Sequence, residues 1–260
     1  MSTLASETAP RGAQGRGWVV PLAAVGLWWL ASAQGWSDSP LLVSPEKVAT
    51  TAWEELASGR LARALSASLA RDLSGFAIGT LGGLLLGALL GLSPLAQRVL
   101  GPSFNTFKQV SLFAWIPLIS VWFGLGDLAK VVFLSLAALV PVAVNTCDGL
   151  RKVSPALLEV AQVYGYSPWQ TLTQVRLPAA LPSLFTGLYL GLIYSWLATI
   201  GAEYLLVSGE GIGNALIDGS EHFRMDLVLF GMLVIGLVGW ALNALARLAE
   251  RRMAQRYGAL

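Results

Sequence analysis

The sequence predicts an all-α polytopic membrane protein with six transmembrane helices, and three observations carry that prediction. Only 12% of the 260 residues are charged, 55% are hydrophobic, and the mean hydropathy is +0.64. A soluble domain averages about 25% charged residues, and a chain this short of charge could not cover its own surface with polar groups. The apolar residues come in long blocks, without the period-2 or period-3.6 alternation of half-buried elements. Each block is close to the ~20 residues that an apolar helix needs to cross a bilayer.

Composition also excludes several classes. A net charge of +2 with no basic tract and no interleaved aromatics gives no footprint for nucleic acid. The single cysteine, Cys147, excludes an internal disulfide or a cysteine metal cluster, and the single histidine, His222, leaves nothing for a His-rich site.

Taken in order, residues 1–16 are polar and rich in Gly, Ala and Ser, and are expected to be a disordered cytoplasmic tail. The first apolar block is 18–36. Its Ala31-Ser32-Ala33 resembles a signal-peptide cleavage site, but Trp18, Trp28, Trp29 and Trp36 suit a retained membrane helix with interfacial anchors better. Residues 37–65 read as a loop holding a short amphipathic helix that starts at Pro45, with an acidic face of Glu46, Glu54 and Glu55. The remaining blocks are 73–92, 110–125, 128–146, 181–206 and 227–248. One transmembrane domain over 17–250 and a cytoplasmic tail over 251–260 complete the expected organisation.

Orientation follows from Lys and Arg. With the N-terminus inside, cytoplasmic segments hold Arg11, Arg16, Arg98, Lys108, Arg151, Lys152, Arg176, Arg247, Arg251, Arg252 and Arg256. The outer segments hold only Lys47, Arg60, Arg63, Arg71, Lys130 and Arg224, among many acids. The positive-inside rule therefore predicts N-in and C-in, with the loop at 149–178 in the cytoplasm.

The block at 73–92 contains Gly75, Gly79, Gly83, Gly87 and Gly91 on nearly one helix face, and Gly187 and Gly191 repeat the spacing later. Such glycines let a second backbone approach closely where water cannot drive association. Packing within one subunit is the simpler expectation, and a seam between subunits is the other.

The loop at 149–178 is the most informative segment. Ser154 suits an N-cap and Pro155 the first helical position, so a helix is expected over 155–164. Gly165 can end it, because it takes positive φ without a Cβ clash. A second helical stretch is expected over 168–175. Pro178 disfavours helix at Leu177 and should mark where the loop joins the next membrane helix.

Within this loop Glu159, Val160 and Ala161 are followed by Gly165, Val175, Leu177 and Pro178. These residues resemble the EAA loop of the permease subunits of binding-protein-dependent ABC importers. Its pattern is Glu-Ala-Ala, three residues, Gly, nine residues, an aliphatic, any residue, then Leu-Pro. Every spacing agrees, and Val160 in place of the first Ala is the one departure. The stretches Ala114-Trp115-Ile116-Pro117-Leu118, Trp122-Phe123-Gly124, Gly201-Ala202-Glu203 and Gly211-Ile212-Gly213 resemble the branch importing aliphatic sulfonates, taurine, nitrate and related small anions. Ser111 stands where many sulfonate-type members have Pro.

The resemblance implies a type I ABC importer transmembrane domain in the bacterial inner membrane. Its partners would be a dimer of ATP-binding cassette subunits, a periplasmic or lipid-anchored solute-binding protein and a second permease subunit, most simply a second copy. Glu159, Ala161, Gly165, Leu177 and Pro178 would form the coupling lever. The chain itself would be non-catalytic and carry no cofactor, with Mg-ATP on the partner. Consistent with that, it contains no G-x-x-x-x-G-K-[ST] segment, and Gly209–Asn214 lacks the last glycine of G-x-G-x-x-G and reads as an outward turn. Import of another small solute, such as a vitamin precursor, and ATP-independent secondary transport are the competing readings.

Two charges at membrane depth are candidates for the translocation path or gate. Glu203 is expected either to pair with a cation near the outer gate or to face a neighbouring helix end. Lys108 is expected either to attract an anion or, more simply, to snorkel toward the headgroups.

Overall fold

The computed structural model describes residues 19–34, 41–206 and 208–257; the expected tail at 1–16 lies outside them. The described residues form helices and connecting turns: α1 (Val19–Ala33), α2 (Pro45–Ala57), α3 (Arg60–Leu92), α4 (Pro94–Phe107), α5 (Ile116–Phe123), α6 (Asp127–Arg151), α7 (Pro155–Val163), α8 (Pro168–Leu205), α9 (Ile212–Glu221) and α10 (Met225–Tyr257). Of these, α3, α6, α8 and α10 are each long and apolar enough to cross a membrane.

The second block proved longer than its apolar stretch. The polar half that precedes it, with Arg60, Arg63, Arg71 and Asp72, is continuous with it in α3, a helix of 33 residues. Hydropathy alone stopped at residue 73 because those charges lower the local average, not because the backbone changes.

The third block corrects the sequence reading. No single helix runs over 110–125. Instead α4 ends at Phe107, a 3₁₀ turn covers Leu112–Trp115, and α5 follows, the two arms meeting at 93°. Pro117 explains part of the break. It has no N–H to donate, and in a straight helix its ring would press on the carbonyl of Phe113. Ser111, with ψ of 133°, takes the bend in extended backbone.

The glycine ladder shows where this bent pair must go. A Cβ at Gly75 would meet Cβ of Leu134, at Gly79 that of Ala138, at Gly83 that of Val142, at Gly87 that of Thr146 and at Gly91 that of Leu150. From 75 to 134 and from 91 to 150 alike, the offset is 59 residues, so α3 and α6 lie side by side and parallel. The ladder therefore packs within one chain, as the simpler expectation had it. Parallel neighbours need a return crossing between them. Leu92 lies near the Leu150 end and Asp127 near the Arg71 end, about 20 residues or roughly 30 Å apart along the helix, so the α4–α5 pair has to traverse that length.

Helix α8 packs antiparallel on the other side of α6. Gly187 sits over Asn145 and Pro141, Gly191 over Val142 and Ala138, and Gly149 of α6 over Ser183 and Ala180. Helix α6 is thus the central element, and Ala129, Phe133, Leu134, Ala138, Val142 and Ala143 are sealed from solvent. One apolar cluster joins it to Ile119 of α5 and to Ala198, Ala202 and Leu206 at the α8 end. A second gathers Val48 of α2, Ile212 of α9 and Leu227, Phe230 and Val234 of α10. Helix α1 leans on this second cluster through Trp28, whose indole N–H donates to the Val43 carbonyl at 2.9 Å, while Trp29 donates to Glu46 Oε1 at 2.7 Å.

Candidate functional site

At one end of the bundle, α7 hangs in the connection between α6 and α8. Ser154 occupies the N-cap position and Pro155 the first turn, but the Ser154 hydroxyl makes no capping bond. The C-terminus follows the expectation closely. Gly165 adopts φ of 68°, its N–H donates to Gln162 O at 3.0 Å, and Tyr166 N–H donates to Ala161 O at 3.0 Å. These two bonds are a Schellman motif, which needs a residue without Cβ at Gly165.

Within α7, Ala161 is buried at 3% exposure whereas Glu159 points outward and makes no ion pair among the described residues. Leu157, Val160, Val163, Tyr164 and, beyond the turn, Trp169 leave apolar surface uncovered. A notch of about 380 Å³ separates α7 from α8, lined by Ala161, Val160 and Tyr164 on one side and by Gln174, Val175 and Pro178 on the other.

The junction at Leu177-Pro178 differs from the sequence expectation. Leu177 is helical, with φ of −64° and ψ of −48°, and α8 runs unbroken from Pro168. The preceding turn widens to accommodate the proline. Residues Thr171–Arg176 form a π segment in which Leu177 N–H donates to Leu172 O, five residues back. The wider turn takes up the carbonyl that the Pro178 ring would otherwise hit. A capping box between Ser167 and Gln170 starts this helix.

At the opposite end lies a buried ionic cluster. Glu203 of α8 is 1% exposed and Arg71 of α3 7% exposed, and Arg71 Nη2 donates to Glu203 Oε1 at 2.5 Å. Arg71 Nη1 donates to Asp127 of α6 at 2.8 Å, so one guanidinium ties three long helices together. Ser68 Oγ also donates to Glu203 Oε1, and Gly213 N–H donates to Oε2 at 2.8 Å. Arg71 reaches the Glu210 carbonyl as well. Nearby, Lys130, fully buried, donates from Nζ to Ser208 O, and Asn214 Nδ2 donates to the Ser208 and Gly209 carbonyls.

Of the two alternatives for Glu203, the structure shows both contacts at once: a cation and the first turn of a neighbouring helix. Sequence reasoning did not find Arg71, because a residue 132 positions away leaves no local signal. The Gly211-Ile212-Gly213 turn did carry one. A Cβ on Gly211 would stand 2.5 Å from the Glu203 carboxylate, and one on Gly213 would stand 2.6 Å from Glu203 Cβ. The glycines are a seat for that carboxyl group. Gly211→Val is therefore expected to displace it and lower thermal stability of the purified protein by several degrees. Gly236→Ala, where an added Cβ meets nothing, should leave the melting temperature unchanged.

Between the two ends, a cavity of about 580 Å³ opens beside α6 and α8. Lys108, at the C-terminus of α4, stands on its wall with Asn145 and Ser111, and Phe113, Leu136 and Leu197 supply apolar surface. Lys108 and Glu203, paired as candidates in the sequence, are thus in different places.

Known proteins share this geometry and much of the sequence. Residues 79–258 match the family described as binding-protein-dependent transport system inner membrane component. The chain is 37% identical over 234 residues to an aliphatic sulfonates transport permease protein of Escherichia coli (strain K12), covering 90% of this chain and 89% of the relative. A Bacillus subtilis (strain 168) protein of the same description is 32% identical, covering 92% and 86%. The Escherichia coli taurine transport system permease protein is 34% identical over a shorter stretch, 64% of this chain and 60% of the relative. Among solved structures, the MetNI methionine ABC transporter in an inward-facing form superposes with a TM-score of 0.61 at 22% identity, covering 76% of this chain and 96% of that one. An amino acid ABC transporter superposes at 0.63 and 18%, covering 75% and 94%. Matched by family over most of its length, by relatives along nearly all of it and by fold, the chain belongs to the binding-protein-dependent transport system inner membrane component family.

Proposed function

We propose that the chain is the non-catalytic, membrane-spanning permease subunit of an ATP-driven importer for small anions, driven through α7. The observation that carries this is the Schellman-capped helix at Pro155–Val163, placed between two long apolar helices and exposing an apolar face with Glu159 on it. A rigid helix with unfilled apolar surface at a bundle end is suited to dock in a groove of a separate ATPase. Ala161 lets the lever lie close to α8, Gly165 turns the chain back, and the π turn with Leu177 and Pro178 carries motion into α8.

In this reading α1 and the α4–α5 pair complete six crossings, the N- and C-termini face the cytoplasm, and α7 lies on the cytoplasmic side. A second permease subunit, most simply another copy, supplies the other half of the path, and a solute-binding protein delivers substrate to the Glu203 end. The cargo class rests on the relatives, which are named for aliphatic sulfonates, taurine and, at 32% identity over 162 residues, nitrate.

The test uses the full complex of permease, ATPase and binding protein in proteoliposomes. Glu159→Ala and Gly165→Val are expected to reduce substrate-stimulated ATP hydrolysis and uptake at least tenfold while the subunits still assemble. A valine at φ of 68° sits in a region that costs an L-residue roughly 1–2 kcal/mol, enough to unwind the cap and not the bundle. Unchanged uptake and stimulation in both variants would remove α7 from the coupling role.

A further inference from the structure

Helices α8 and α10 run antiparallel. Trp196 Nε1 donates to the Ile235 carbonyl at 3.3 Å, and nearer the α7 end the Arg247 guanidinium stands 5.9 Å over the Tyr189 ring. Beside that second contact a notch of about 360 Å³ opens, lined by Thr186 and Tyr189 of α8 and by Arg247 and Glu250 of α10. It sits where α10 leaves the bilayer. The apolar run 227–248 is about 33 Å long at the helical rise, close to the ~30 Å hydrocarbon thickness, so Arg247 and Glu250 stand at head-group level.

The lining offers two donors and two acceptors. Arg247 Nε donates to Asn243 Oδ1 at 3.1 Å and Nη2 to the Tyr189 hydroxyl at 3.4 Å. These bonds hold the guanidinium in place and leave Nη1 without a partner among the described residues. The Tyr189 hydroxyl accepts from Arg247 and keeps its own hydrogen to give. Thr186 has spent its hydrogen on the Pro182 carbonyl at 3.0 Å, so its oxygen can only accept. Glu250 is exposed and makes no ion pair among the described residues. Arg247, three residues back on the same helix, is its neighbour by spacing but is drawn toward Tyr189 instead.

We propose that the notch holds the head group of a phospholipid carrying both a phosphate and a primary ammonium. The phosphate sits on Arg247 and the Tyr189 hydroxyl, the ammonium on Glu250 and the Thr186 oxygen. The place suits a lipid rather than a free solute. Leu237, Trp240 and Leu245, exposed on α10 toward the membrane centre, offer apolar surface to acyl chains. A head group with phosphate alone answers Arg247 and sets a second negative charge beside Glu250. Arg251, Arg252 and Arg256, next in sequence, attract anionic lipids in general, and the notch adds a choice among head groups. A lipid so held ties α8 to α10 on the α7 side, a role that goes beyond the importer reading and does not depend on it.

The test titrates the full-length chain, purified in detergent, with phosphatidylethanolamine and phosphatidylglycerol of the same acyl chains, and reads the most tightly retained lipid by native mass spectrometry. Phosphatidylethanolamine is expected to bind about three- to fivefold more tightly, the factor of one exposed ion pair. Glu250→Gln should bring the ratio of the two affinities to about one. Arg247→Met should weaken phosphatidylethanolamine about tenfold, because the charge-assisted bond to phosphate is the stronger contact. Both side chains are exposed, so both variants should keep the melting temperature of the unaltered protein in lipid-free detergent. Glycerophosphoethanolamine, the same head group without tails, should not displace the lipid. Equal affinities or a preference for phosphatidylglycerol in the unaltered protein overturns the assignment. So does an unchanged ratio in Glu250→Gln, an unchanged affinity in Arg247→Met, or displacement by glycerophosphoethanolamine.

Discussion

Arg71→Met is expected to lower the unfolding free energy of the detergent-solubilised protein by about 3–5 kcal/mol, the cost of leaving a buried charge without its partner. Glu203 would remain at 1% exposure with only Ser68 and the Gly213 N–H as neutral donors. Glu203→Gln should cost less, because Arg71 keeps Asp127, which is largely exposed and easily hydrated. The double substitution Arg71→Met with Glu203→Gln should recover a large part of the loss, since a neutral pair of similar shape has no stranded charge. Stability read from denaturant titration of all four proteins gives the coupling directly. If the double variant is no more stable than the sum of the singles, the pair is not the clasp between α3 and α8.

Gly87→Leu is the second large effect. A Cβ there would lie 2.5 Å from the Ala143 carbonyl and 2.6 Å from Thr146 Cβ. Neither neighbour is a flexible side-chain tip, so the helices must part. Overpacking of this kind costs about 1–3 kcal/mol, and a leucine at a backbone contact belongs at the upper end. Parting the helices opens more than one rung, because α3 and α6 touch at every fourth residue. Gly82→Ala is the matched comparison. It lies on the same helix and meets only the tip of Leu139 at 3.3 Å, so it should be neutral or slightly stabilising through better helix propensity. Thermal unfolding of the two purified variants checks this, and equal losses for both would show that the ladder is not a backbone contact.

How far these features could be read in advance depended on whether their cause was local. The stop at Gly165 follows from three or four adjacent residues, and the structure has the expected positive φ there. The ladder's spacing was legible in α3, but its partner was not, since α6 carries only an ordinary Leu-Ala-Val-Thr-Leu ridge at residues 134 to 150. The break at 107–116 escaped because hydropathy counts apolar residues and is blind to their backbone. Pro117 is the local signal that bears on it, since a proline inside an apolar run removes a helix donor without lowering the hydropathy much. At Leu177-Pro178 the error ran the other way. The local rule for the residue before proline predicted a stop, and a π turn absorbed the clash instead. The Arg71–Glu203 pair joins helices distant in sequence, and only the glycines at 211 and 213 hinted that something large was seated there.

The parallel pairing of α3 with α6 has a consequence for how the protein is made. Each rung of the ladder waits for a partner synthesised 59 residues later, which at about 5–20 residues per second is roughly 3–12 s of translation. During that interval α3 stands in the bilayer with a bare glycine stripe and Arg71 without Glu203, which arrives only after a further 53 residues beyond Leu150. The intervening bent pair has to cross before the seam can close, so the order of insertion, more than the strength of any one contact, decides whether the central helix finds the correct neighbour or a stripe on another nascent chain.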